Sequence, residues 1–325
     1  MGSRSLRVSA VQMVSENGER RANLERAGHL VQQASDGGAK LVALPELFSG
    51  GYWLNEQAWD TAEPEDGPTE AWLRETAHRH GIYVGGSYLQ AHDDDFVNMF
   101  ALATPAGQIA GRVPKQKAAS VEAYLFRGQE SSHIIDTELG RVGVGICYDN
   151  VFRYVPDALI AGDADIVVMS FSAPTPQQTW YYGRKQVEAF RACFRHGARN
   201  YARMLGIPAV QVNKSGRWKS ALPAFFPSQD SKYDGQSEIA DSNGEVIAEL
   251  SDEEAVIVGD VTLDPAQKVR AVGREYTQYG QWIAPVPLEL KLYRFIEAMG
   301  ARSYRTNPRR RAKARATSDA ARDRS

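Results

Sequence analysis

The chain has 325 residues, enough for one large α/β domain or two ordinary ones. A formal net charge of −2 names no polyanionic partner, and two cysteines, Cys147 and Cys193, exclude a disulfide framework and any Cys/His cluster with zinc spacing. No apolar run approaches the roughly 20 residues that span a bilayer, and Met-Gly-Ser-Arg-Ser leads into a strand without an apolar signal region, so a reducing, cytoplasmic setting is expected with no membrane contact.

Residues 6–13 read as a first strand, and 18–35 as a helix with Leu24, Ala27, Leu30 and Val31 on one face. Gly37-Gly38 ends that helix, and an apolar strand at 41–45 delivers Glu46. This strand–helix–strand unit begins a layered α/β fold. Residues 48–67 are loop-like. Pro68 starts a helix to about His80, followed by a strand at 82–88. Residues 98–104 and 108–113 read as a hairpin that delivers Lys115. Residues 118–130 are polar and irregular and hold Glu122. After a strand near 133–136 comes Arg141-Val-Gly-Val-Gly-Ile-Cys147-Tyr-Asp-Asn150, a buried strand ending in a thiol.

A helix is expected over 152–161, a strand over 165–170, one long helix over about 178–205 in which Cys193 packs, and a strand over 209–213. A second hairpin with an Asn-Gly turn covers 235–248, and the last clear strand lies at 254–260. A helix is possible at 287–298. Beyond Ser303 the chain turns basic, Arg309-Arg-Arg-Ala-Lys-Ala-Arg315, and is expected to be a solvated disordered tail over 304–325. A basic arm for nucleic acid is the weaker reading, because aromatic residues do not interleave the charges. The expected division is a catalytic domain over 1–285, an extension over 286–303 and the tail.

A thiol, a carboxylate and an amine, each closing its own apolar segment, make a catalytic set at the strand ends, where open α/β sheets place ligands. The three stretches resemble the nitrilase, or carbon–nitrogen hydrolase, superfamily. Its glutamate motif is similar to Leu44-Pro-Glu46-Leu-Phe-Ser-Gly-Gly-Tyr52, its lysine motif to Arg112-Val-Pro-Lys115-Gln-Lys117, and its cysteine motif to Gly143-Val-Gly-Ile-Cys147-Tyr-Asp149. The resemblance covers about residues 6–263. It implies a four-layer α-β-β-α sandwich, with two mixed sheets and helices outside. It also implies a homodimer or higher homo-oligomer in which the C-terminal extension lies at the interface, and no metal or organic cofactor.

The resemblance also implies roles. A free cysteine is mostly protonated at pH 7 and needs a base to attack an amide or nitrile carbon. Glu46 is that base. Lys115, rather than its neighbour Lys117, stabilises the oxyanion with the backbone N–H of Tyr148. Glu122 orients Lys115 or positions substrate. Tyr52, Tyr148, Phe171, Ser172 and Trp180 stand where the family has pocket walls, although each can equally be core.

The Cys-Tyr-Asp sequence resembles amide-hydrolysing branches, whereas Asn150 and the Lys-x-Lys pattern lie closer to nitrile-hydrolysing ones. The helix after Cys147 lacks the arginine that carbamoyl- and carboxylate-specific branches carry. The favoured expectation is an amidase that releases ammonia from a small or aromatic amide through a thioester. The alternatives are a nitrilase or N-carbamoyl hydrolase on the same Cys–Glu–Lys set, or a non-catalytic dimeric scaffold.

Overall fold

A computed structural model describes residues 2–180, 182–273 and 288–322. In Arg4–Gln12 (β1), Leu6, Val8 and Ala10 face one way and Val11 the other, the two-residue period of a strand buried on both faces. Arg20–Asp36 (α1) and Leu41–Ala43 (β2) follow, then Pro68–His80 (α2), Tyr83–His92 (β3), Asp95–Ala103 (β4) and Ile109–Pro114 (β5). The same alternation divides β2, whose Leu41 and Ala43 face with Val8 while Val42 faces with Val11. Helix α1 lays Ala27, Leu30, Val31 and Ala34 on the Val11 side, joined by Leu73 and Ala77 of α2.

The second half runs through Ile134–Thr137 (β6), Gly140–Ile146 (β7), Tyr154–Ala161 (α3), Ile166–Ser170 (β8), Arg184–Phe194 (α4), Gly197–Leu205 (α5) and Ala209–Val212 (β9). Arg217–Ser220 (β10) and Gln229–Lys232 (β11) pair with each other. Glu238–Ala240 (β12), Val246–Glu249 (β13), Ala255–Leu263 (β14), Leu288–Thr306 (α6) and Pro308–Arg322 (α7) complete the described elements. The strands build two six-stranded mixed sheets, β14-β1-β2-β3-β4-β5 and β13-β12-β9-β8-β7-β6.

The inward faces of the sheets share one core, in which Val8, Ala10 and Phe100 meet Val142, Val144 and Val168. Residues of α3 and α5 join that core from the second sheet's side, Val155, Leu159, Tyr201 and Leu205 among them. With α1 and α2 on the first sheet, the layers are α-β-β-α, as the sequence resemblance implied.

Three sequence expectations change. The single helix over 178–205 is two helices. Arg195 takes an extended conformation (ψ 123°) and His196 a left-handed one (φ 63°), which separates α4 from α5. At the break, Gln211 Oε1 approaches within 2.0 Å of where a side chain on Gly197 would begin, so the close crossing requires glycine. The pair β10–β11 was not foreseen, because neither strand carries an apolar run.

The basic stretch 304–325, expected to be disordered, is helical as far as Arg322. It packs on β3, β4 and the 56–60 turn. The physical reason is that its charges have partners. Arg310 is buried, bonds the side chain of Asp95 and the carbonyl of Asp94, and lies 4.3 Å from the Tyr304 ring centroid. Tyr304 in turn accepts the Phe96 N–H at 2.8 Å, and Ala314 is fully buried. Positions 286–287 of the expected extension and 323–325 of the expected tail lie outside the described residues. Replacing Arg310 by Ala should lower the unfolding free energy by about 1–3 kcal/mol, since it removes the donors to the Asp94 carbonyl and to Asp95, which keeps only Arg127 at 2.9 Å. Equilibrium urea unfolding reads this, and an unchanged midpoint would show that the tail contributes nothing to the fold.

Candidate active site

The site lies at the seam between the sheets, where the C-terminal ends of β2, β7 and β8 meet. Three hydrogen bonds close the seam around Glu46. Ser170 Oγ donates to the Leu44 carbonyl (3.1 Å), Glu46 N–H to the Phe171 carbonyl (3.2 Å), and Ser172 N–H to Glu46 Oε2 (2.8 Å). The other carboxylate oxygen, Oε1, accepts from Lys115 Nζ (2.8 Å) and from Asn98 Nδ2 (2.7 Å). Asn98 is itself held by the Ser87 hydroxyl at 2.8 Å.

Lys115 leaves the end of β5 and is fully buried. Its ammonium also donates to both oxygens of Glu122, at 2.7 and 3.0 Å. Glu122 is satisfied on every side, because Ala119 N–H donates to Oε2 (2.6 Å) and the Tyr52 hydroxyl to Oε1 (2.7 Å). The result is a dry carboxylate–ammonium–carboxylate triad. Burial alone would lower the Lys115 pKa, but the charges of Glu122 and Glu46 outweigh it and hold the ammonium well above its ordinary range. Burial, reinforced by the Glu122 charge, raises the Glu46 pKa against the opposing pull of Lys115.

Cys147 follows β7 directly and sits at φ 47°, in the left-handed region that a side chain occupies only under constraint. The turn that holds it is braced from behind. Asn150 Nδ2 donates to the Cys147 carbonyl (3.1 Å), and a side chain at Gly145 would begin 1.9 Å from Asn150 Oδ1, so only glycine lets the brace close. The thiol lies close enough to Glu46, Lys115 and Glu122 for their charges to act on it. Burial, with the Glu46 charge adding to it, pushes the thiol pKa well above the usual value, so the resting sulfur is protonated.

Asp149 fixes the lysine loop to the cysteine turn. It accepts Gln116 N–H and Lys117 N–H, each at 2.8 Å, and the Tyr154 hydroxyl at 2.5 Å, while burial pushes its pKa up to about 6. Lys117, the rival in the sequence, lies outside the triad with its ammonium 5.1 Å from the Phe152 ring centroid.

The expected pocket residues divide. Tyr52 and Tyr148 line a cavity of about 300 Å³ that opens from Cys147. Phe171 is core, edge-on to Phe194 at 5.4 Å, and reaches the site only through its carbonyl. Ser172 contributes its backbone N–H, and its hydroxyl pairs with that of Tyr233 at 3.1 Å. Trp180 is 95% exposed and outside the cavity wall, because only Ala173–Pro176 of its loop face inward. Cys193, expected to pack, is buried beside Tyr148 and also borders the cavity.

Three residues escaped the sequence reading. Asn98 was hidden as a polar position in a strand. Trp218 forms one wall of the cavity and comes from the unforeseen β10. Lys214, in a turn that would ordinarily expose it, is fully buried, donates to the Leu47 carbonyl at 3.0 Å and lies 6.0 Å from the Tyr52 ring centroid. Burial pushes its pKa down to about 7, with Glu46 opposing the shift.

Among the described residues, His196, Glu238 and Glu249 bring ligand atoms within 4.8 Å of one another, but they border a different cavity, and Glu238 already accepts the Arg199 N–H at 2.8 Å. No described helix is long and apolar enough to cross a membrane.

A family model described as carbon-nitrogen hydrolase matches residues 7–271. The chain belongs to this family. Among curated carbon-nitrogen hydrolase relatives, N-carbamoylputrescine amidase of Arabidopsis thaliana is 26% identical over 258 residues, covering 76% of this chain and 84% of the relative. Omega-amidase NIT2-B of Xenopus laevis is 26% identical over 264 residues, covering 76% and 86%. A crystal structure of a carbon-nitrogen hydrolase from Helicobacter pylori superposes with a TM-score of 0.69 at 18% identity, covering 94% of this chain and 95% of that one, which shows the shared fold.

Replacing Asp149 by Ala would leave two backbone N–H groups and a tyrosine hydroxyl without their acceptor. The expected cost is about 3 kcal/mol of stability, together with loss of the Lys115 placement. Urea unfolding compared with that of Asp149→Asn, which keeps an acceptor, checks this. Equal unfolding midpoints for the two variants would show that the lost acceptor is not the cause.

Proposed function

We propose that the protein is a cysteine-dependent amidase that hydrolyses a carboxamide to a carboxylic acid and ammonia through a thioester. The observation that supports it most is the Cys147 thiol, held in a left-handed turn within the field of a Glu46 carboxylate that is tied through Oε1 to the Lys115 ammonium. The amidase names of the curated relatives support the same bond type.

In the first half-reaction Sγ bonds to the amide carbon while its proton passes to Glu46. The oxyanion forms in the field of the Lys115 ammonium. All three Lys115 donors face carboxylates, so its contribution is a fixed positive charge in a dry site unless one bond to Glu122 is exchanged. As the tetrahedral carbon collapses, the C–N bond breaks and Glu46 gives its proton to the leaving nitrogen, which departs as ammonia. In the second half-reaction Glu46 takes a proton from water as its oxygen bonds to the thioester carbon. The C–S bond then breaks and the proton returns to sulfur.

Cys147→Ala should abolish ammonia release, and Glu46→Gln should lower kcat by about 10²–10⁴-fold. A panel of matched amides, nitriles and N-carbamoyl compounds checks both. Ammonia from the nitriles or carbamoyl compounds alone would sink the amide assignment, and turnover that survives Cys147→Ala would sink the nucleophile.

Only ionised Glu46 can accept the thiol proton, so kcat/KM should rise with pH through the raised Glu46 pKa. Glu122→Gln removes a neighbouring negative charge and should move this acid limb to lower pH. Lys214→Met removes a charge that is positive below about pH 7 and should move the limb the opposite way. Limbs that do not move in the two variants would show that Glu46 does not govern the profile.

A further inference from the structure

We propose that the substrate is an uncharged carboxamide with an apolar acyl group of about phenylacetyl or hexanoyl size, and that α6 is the element that selects it. This rests on the amidase reading of the same site and goes beyond it to the substrate class.

The cavity that opens from Cys147 has walls of Tyr52, Tyr148, Phe190 and Trp218, closed on another side by Tyr293 and Ile296. No charged side chain lines it among the described residues. The charged groups of the floor are spent on one another, Lys115 on Glu46 and Glu122. Glu297 of α6 is not in the lining and accepts the Ser120 N–H at 3.4 Å. A carboxylate or ammonium on the acyl chain would therefore lose its hydration without meeting a counter-charge. An acetyl group has the opposite defect. A volume of about 300 Å³ is at the small end of ligand pockets but leaves most of the wall untouched by two carbons.

Helix α6 supplies one side of the enclosure. It starts at Leu288, beyond residue 271 where the family match ends, so its wall lies outside the matched segment. Tyr293 packs on Tyr148, the residue next to the nucleophile, with ring centroids 5.5 Å apart. Leu292, 55% exposed, stands in the same lining. The helix thus places apolar surface over the acyl side of Cys147 and leaves a half-open apolar rim.

The test measures binding of matched carboxamides to Cys147→Ala protein by ligand-observed NMR titration, alongside ammonia release by the wild type. Phenylacetamide and hexanamide should bind at least about tenfold more tightly than acetamide. Succinamate and 4-aminobutanamide should bind at least about tenfold more weakly than hexanamide. In the Cys147→Ala background, Ile296→Ala should narrow the ratio of hexanamide to acetamide affinity severalfold. Either charged amide binding as tightly as hexanamide overturns the proposal, as does acetamide matching it, absence of hexanamide binding, or a ratio indifferent to Ile296. Preferential binding of the apolar amides to Cys147→Ala, with no ammonia released from any of them by the wild type, supports the pocket assignment and sinks the amidase reading instead.

Discussion

The Lys115 ammonium, enclosed between Glu46 and Glu122, is the constraint on which the other parts of the site depend. A buried cation is tolerated only when its partners are placed closely enough to offset lost hydration, and a carboxylate left without it would be stranded in turn. Glu46 comes from the end of β2, Lys115 from the end of β5 and Glu122 from the short 3-10 helix Ser120–Tyr124. All three must arrive together. Tyr52, Ala119 and Asn98 then give a second donor to the oxygens that Lys115 reaches, and the Ser172 N–H satisfies the one it does not, Glu46 Oε2.

The sandwich supplies this convergence because its two sheets meet through apolar faces while their strand ends remain polar. Ser170, Phe171 and Ser172 of the second sheet bond directly to the Leu44–Glu46 stretch of the first. Cys147 arrives from β7, a neighbour of β8 in the same sheet. Asp149 then ties the cysteine turn back to the lysine loop. The acid, the cation and the thiol are thereby fixed by bonds between backbone groups and buried side chains. The raised pKa values of Glu46 and Cys147 have one physical origin, burial in this seam, and it favours a site in which a proton is exchanged between the two groups over one that stores a thiolate.

The C-terminal helices show how composition misleads when partners lie far away in the chain. Arg309 to Arg315 reads as a solvated tail because its charges have no local complement. In the fold, Arg310 meets Asp95 and Arg315 meets Asp94 at the tip of the β3–β4 hairpin, more than 200 residues earlier. The same packing carries α6 across the 120–124 segment and over the cavity.

By itself the sequence determined the alternating strands and helices, since apolar period is a local property. It also determined the candidate trio Glu46, Lys115 and Cys147, since each closes an apolar segment within a short motif. It placed most boundaries within a few residues, as in Pro68–His80. Tertiary structure alone decided the rest. A turn lysine and a strand asparagine, Lys214 and Asn98, enter the site because burial and hydrogen-bond partners depend on which strands become neighbours. Trp180 leaves it because the course of a loop follows from packing rather than from residue type. The break at His196, the order of the basic tail and the apolar wall of α6 belong to the same class. Each is set by contacts between residues distant in sequence, and no window along the chain contains both partners.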